Sequence, residues 1–259
     1  MRHALTVDIE EWFHVCGVER LLPPSRWPSL PHRARESTLR LLDLLGEVRA
    51  TFFVLGYVAR RDPGLVRSIV SYGHSAQCHG DTHRRVDALA PAAFRSELRD
   101  SAAAVADACG VRPAGFRGPG WSHTPWGFEI LAEEGFEFDS SVLSLRPRPH
   151  RRGGIGEFPV SPLLNGTAIR LLPARTLRGV VAALEARGVP AVVAVHPWDL
   201  DPGFPRMRFP FPQGVLHYAG RERAESRLRG LLAAHEFGRP LARSDSRTAL
   251  KKETYSGVR

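Results

Sequence analysis

The sequence predicts an α/β fold on a parallel sheet, open or closed into a barrel, and three observations lead there. Short apolar runs of strand character alternate with amphipathic helical segments in β-α-β-α order. A chain of 259 residues, 43% of them hydrophobic, fits one large α/β domain better than two small ones. Polar or special residues follow several of the apolar runs, as expected where functional groups gather at the carboxyl ends of parallel strands. The single domain is expected over residues 1–244, with a polar, disordered tail over 245–259.

In order, residues 3–9 read as an apolar strand ending in acids. A proline-rich passage, Pro23 to Pro31, leads to an amphipathic helix over 36–45 whose leucines 39, 42 and 45 form one stripe. Residues 50–55 make a short buried strand. A helix over 63–72 follows, opened by Pro63 and closed by Gly73. Further helices are expected over 91–108, 125–134 and 176–186, and strands over 115–117, 136–139 and 191–195. Residues 143–175 carry the weakest pattern and are expected to influence substrate choice.

Thirty-six basic against 27 acidic residues give a net charge of +9, with arginines clustered over 146–152 and 206–229. These clusters suit a solvated surface, or contact with an anionic lipid or lipid-linked substrate. No recognition motif for nucleic acid accompanies the charge, so no specific nucleic-acid partner is expected. Three scattered cysteines, Cys16, Cys78 and Cys109, exclude a disulfide framework and point to a reducing compartment. No signal-peptide pattern opens the chain and no 18-residue apolar run occurs, so the expected location is cytoplasmic, with no transmembrane segment.

Four segments carry chemistry. In Cys78-His79-Gly80-Asp81-Thr82-His83 the two histidines stand four residues apart, which on a helical turn presents both imidazoles to one metal. The first strand ends in Asp8-Ile9-Glu10-Glu11, where alternation puts Asp8 and Glu10 on one side. One carboxylate can complete a His-His-carboxylate site while the other removes a proton from water. Arg117, after a strand and before a tight Gly-Pro-Gly loop, can orient a carboxylate by a bidentate pair. His196 ends an apolar strand and can protonate a leaving amine. Trp121 and Trp198 are candidates to pack on a sugar ring, or core aromatics.

Taken together, these segments resemble the NodB-homology polysaccharide deacetylases, most closely the subgroup of exopolysaccharide loci, which open with a pattern like Thr6 to Phe13. Further similarity lies in Ala50 to Gly56, Gly73-His74, Phe138 to Ser141 and His196-Pro197-Trp198. The resemblance implies a distorted (β/α) barrel and a divalent metal, most readily zinc, held by His79, His83 and a carboxylate. It further implies Asp8 as base, Arg117 as its orienting partner and His196 as acid. Relatives carry two adjacent aspartates, whereas Ile9 follows Asp8 here. Glu10 is therefore the expected third ligand and Glu11 the alternative. Gly118 replaces the commoner alanine and is expected to widen the pocket or alter the substrate shape it accepts. The implied reaction removes an N-acetyl or similar acyl group from an amino sugar in a polysaccharide, its precursor or a glycoside. The alternatives are hydrolysis of a small non-sugar amide, or carbohydrate binding without catalysis.

Overall fold

The computed structural model describes residues 1–238, 240 and 241, so the expected tail over 245–259 lies outside the described residues. The strands are β1 (Ala4–Ile9), β2 (Thr51–Val54), β3 (Ser75–Cys78), β4 (Gly115–Phe116), β5 (Phe138–Asp139), β6 (His150–Arg152), β7 (Ile155–Glu157) and β8 (Val192–Val195). The helices are α1 (Ala34–Leu45), α2 (Gly56–Arg61), α3 (Pro63–Ser71), α4 (Pro91–Cys109), α5 (Pro125–Glu133), α6 (Gly166–Leu171), α7 (Ala174–Glu185), α8 (Gln213–Tyr218) and α9 (Ala224–Ala234). One curled sheet runs β6-β7-β5-β4-β3-β2-β1-β8, parallel throughout except for the antiparallel β6-β7 hairpin at one edge. This is the distorted barrel the sequence implied, with helices on its outer face.

Strand alternation explains the layers. Leu5, Val7 and Ile9 of β1, Phe52 and Val54 of β2 and Val193 and Val195 of β8 pack outward with Leu41, Leu45, Leu65, Leu177 and Leu228 of the surrounding helices. Ala4, Phe53, Phe138, Val192 and Ala194 point to the concave side. On that side the same alternation continues into Thr6, Asp8 and Glu10, and through Ala194 to His196. β2 after Thr51, and β8, read as unbroken apolar runs because both faces are covered. Helix boundaries follow local chemistry: Asp62 accepts from the Leu65 N–H before Pro63 opens α3, Thr124 caps α5 and Asn165 caps α6.

The expected elements are present with ends shifted by one or two residues. The β6-β7 hairpin, β3, α2, α6, α8 and α9 were not read from the sequence; all but α9 are short and carry little periodicity, and α9 overlaps the arginine-rich stretch that read only as surface charge.

His74, at the amino end of β3, gives the fold a pH dependence. Its Nδ1 accepts the Ala50 N–H at 3.2 Å while its Nε2 is buried without a partner. Burial, helped by Arg49, pushes its pKa down to about 4. The unfolded chain therefore binds the proton first, so stability is fully present above about 6.5 and is lost as pH falls toward about 4. The urea midpoint is expected to fall over that window, and the slope to flatten in His74→Asn, whose amide oxygen can still accept from Ala50. An unchanged slope would assign the acid sensitivity elsewhere.

Candidate active site

Helical presentation of His79 and His83 is corrected by the structure. Residues 79–83 form a loop off the end of β3 in which Gly80 and His83 take left-handed backbone, with φ of 76° and 57°. The α4 residue Glu97 holds that loop: its Oε2 accepts the Asp81 and Thr82 N–H groups at 2.9 and 2.8 Å, and its Oε1 accepts the Thr82 hydroxyl. Arg60 pairs with both oxygens of Asp81. The loop brings both imidazoles to Glu10.

Glu10, His79 and His83 present ligand atoms within 4.8 Å of one another. His79 donates from Nδ1 to the Arg117 carbonyl at 2.8 Å, which leaves its Nε2 lone pair facing inward, 3.7 Å from Glu10 Oε2. His83 Nε2 stands against the same oxygen. That oxygen is buried yet receives no aligned hydrogen bond, the condition of a carboxylate and imidazoles whose lone pairs converge on a cation. Burial works to raise the Glu10 carboxyl, but His83, His79 and His196 outweigh it and hold it well below its usual range. His83 moves the opposite way: burial lowers it, but Glu10 and Cys16 raise it well above its usual value. An N2O donor set of this kind fits zinc and leaves positions for water and substrate. Glu11 faces elsewhere, accepting the Arg33 and Ala34 N–H groups at 2.8 and 3.2 Å at the start of α1.

Asp8 stands beside this cluster. Arg117, fully buried, donates from Nη1 to Asp8 Oδ1 and to Thr6 Oγ1, both at 2.8 Å. Its other nitrogens donate to the Ser140 carbonyl and hydroxyl, and its plane lies 4.3 Å from the Phe53 ring centre. The pair is single-toothed rather than bidentate, since the fork is shared with Ser140. Trp121 covers the guanidinium at 4.9 Å.

Gly118 does not widen a pocket. A Cβ there would meet the Ser122 carbonyl oxygen at 2.1 Å, so glycine is what allows the 118–122 turn to close.

His196 reaches in from β8, with Nε2 3.5 Å from Glu10 Oε1 and 3.9 Å from Asp8 Oδ2. Trp198 stacks on it at 4.2 Å and donates from Nε1 to Glu10 Oε1 at 3.2 Å, making that tryptophan a wall of the site. Behind His196, Asp199 contacts its Nδ1 at 3.1 Å, and Arg170 donates to Asp199 at 2.7 Å. Burial opposes the Asp199 charge, but His196 and Arg170 hold the carboxyl below its usual range. His196 is raised: burial opposes its charge, and Asp199, Glu10 and Asp8 favour it. Asp199 and Arg170 were missed from sequence. The i+3 spacing of Asp199 from His196 was the available signal, whereas Arg170 carried none. Removing Arg170 strands a buried carboxylate, so Arg170→Met is expected to cost about 3–5 kcal/mol of stability by urea unfolding; a loss under about 1 kcal/mol would show the pair to be dispensable.

A second set, His3, Glu185 and His235, also lies within ligand distance at the amino ends of the strands. There His3 Nδ1 accepts the Ala191 N–H at 3.0 Å, so its Nε2 carries the proton and donates to Glu185 at 2.8 Å. That set is a hydrogen-bonded post rather than an open metal site.

Residues 29–138 match the family model for polysaccharide deacetylases, and residues 122–242 match a domain of unknown function, DUF3473. A chitooligosaccharide deacetylase from Bradyrhizobium is 31% identical over 127 residues, 48% of this chain and 57% of that protein. One from Rhizobium leguminosarum bv. trifolii is 38% identical over 74 residues, 28% of this chain and 34% of that protein. The chain thus spans between a third and three fifths of the length of these curated relatives.

Among solved structures, a Mycobacterium smegmatis protein assigned to the polysaccharide deacetylases superposes with a TM-score of 0.70 at 23% identity, covering 96% of this chain and 90% of its own. A family 4 carbohydrate esterase from Streptomyces lividans gives 0.55 at 21%, covering 93% and 92%. A Bacillus anthracis pseudoenzyme of that family also gives 0.55, at 14%, covering 93% and 63%. The fold alone therefore does not carry activity, and the site must. Over residues 29–138 the chain thus matches the polysaccharide deacetylase model, and its fold is that of the solved deacetylase structures.

Proposed function

We propose that the protein is a metal-dependent hydrolase that removes an N-acetyl or similar acyl group from an amino sugar. The observation that carries this reading is the convergence, at one mouth of the barrel, of Glu10, His79 and His83 with two differently supported groups, Asp8 on Arg117 and His196 on Asp199. A divalent cation such as zinc, when bound by the three ligands, polarises the amide carbonyl and acidifies a water. Asp8 accepts the proton of the attacking water as its oxygen bonds to the carbonyl carbon. Arg117 aims Asp8, with Thr6 and Ser140 fixing the guanidinium. His196 delivers a proton to the nitrogen as the C–N bond breaks, because an amine anion leaves too poorly unaided. Asp199 holds the Nδ1 side of that ring and stabilises its protonated form.

The named relatives act on chitooligosaccharides, which supports an amino-sugar substrate. The exopolysaccharide subgroup and a cytoplasmic location belong to the same proposal. The test is acetate release from free, nucleotide-linked and lipid-linked N-acetylamino sugars by protein reconstituted with zinc. Release from a sugar supports the reading. Silence on every sugar, with turnover of a cyclic ureide, would replace it by hydrolysis of a non-sugar amide.

A further inference from the structure

The segment after β8 leaves the site wall and ends in an exposed tip. Phe211 is 86% exposed, Val215 59% and Leu216 46%, three large apolar side chains bared to solvent within six residues. Arg206 and Arg208 are exposed beside it and form no ion pair among the described residues. Residues 202–218 contain no aspartate or glutamate, so the segment joins bare apolar side chains to positive charge; Arg206 shares a cleft with Asp201, Glu222 and Glu225, and Arg208 lies outside it.

The tip is built rather than loose. Tyr218 Oη accepts the Met207 N–H at 2.6 Å and donates to the Pro205 carbonyl, and Phe209 stacks on the Tyr218 ring. It is also continuous with the candidate active site. His217 lies 5.1 Å from Phe209 and 5.0 Å from Trp198, which stacks on His196. Arg170 donates to the carbonyls of Leu216, His217 and Ala219 as well as to Asp199.

We propose that this tip, through Phe211, Val215, Leu216, Arg206 and Arg208, docks the protein on an anionic lipid surface. Apolar side chains enter the boundary between headgroups and acyl chains, and arginines stay at the phosphate level with their stems alongside. Among the described residues no helix is long and apolar enough to cross a membrane, and this docking needs none. The inference is independent of which amide is cut. If both readings hold, the barrel mouth faces the bilayer and favours substrates tethered there.

The experiment is sedimentation of the full chain with vesicles of phosphatidylcholine alone and with about one third phosphatidylglycerol. Binding is expected to the anionic vesicles and to fall at least about tenfold both in Phe211→Ser/Val215→Ser and in Arg206→Glu/Arg208→Glu. Arg187→Glu lies in the turn before β8 at the opposite end of the strands and makes the same charge change as Arg208→Glu. It is expected to bind like the parent, while Arg208→Glu alone binds more weakly. Activity on a soluble substrate is expected to persist in every variant, so loss of docking and loss of catalysis are read separately. Failure of the parent to bind, equal weakening by Arg187→Glu and Arg208→Glu, or indifference to Phe211→Ser/Val215→Ser would each overturn the proposal. So would a dimer in vesicle-free sedimentation that Phe211→Ser dissociates, which would make the tip a contact between copies.

Discussion

Replacing His79 by alanine is expected to abolish retention of a divalent metal and, with it, amide hydrolysis, while the barrel stays folded. The ring supplies one of three ligand atoms around a single point, and its Nδ1 proton is already committed to the Arg117 carbonyl. Loss of an imidazole leaves two ligands, too few for a tetrahedral catalytic site with an open position. The folded state should survive, because the substitution leaves the backbone bond from the His79 N–H to the Val54 carbonyl in place and β3 itself ends one residue earlier. Metal content by mass spectrometry after dialysis, together with the thermal midpoint, separates the outcomes. Full metal retention in the variant would remove His79 from the ligand set whatever happens to turnover.

Asp8→Asn is expected to lower kcat by about 10²–10⁴-fold with metal content unchanged. The side chains are nearly the same size, and the asparagine oxygen can still accept from Arg117, so position is kept and basicity lost. The buried guanidinium then faces a neutral partner, and a stability loss of about 3–5 kcal/mol is expected alongside. Activity within about threefold of the parent would make Asp8 a structural partner of Arg117 and shift the base role to another group. A fall in metal content as well would make Asp8 a ligand.

The sequence was most readable where side-chain chemistry and strand period coincide. Asp8 and Glu10 lie on one side because a strand alternates, and His196 follows an apolar run that had to be buried; both inferences use only local geometry. His79 and His83 were legible as a pair but not in conformation. Nothing in a His-x-x-x-His spacing reports that Gly80 turns left-handed or that Glu97, fourteen residues beyond His83, holds the loop. Arg170 was invisible for a related reason: its partners Asp199 and Leu216 lie 29 and 46 residues away, and only tertiary packing unites them. Gly118 was misread because a missing methyl suggests space, whereas here the space is filled by a carbonyl from the next turn.

Arg117 joins two jobs at one position. Its side chain carries Asp8, and its main-chain oxygen carries the His79 ring. The proposed base and the proposed ligand thus share one bracket at the end of β4. Part of their spacing is thereby set within a single residue, in addition to what β1 and the loop after β3 impose. A chain that tolerates loop variation around its mouth can then keep that part of its chemical geometry, since the tolerance that matters there is internal to one amino acid.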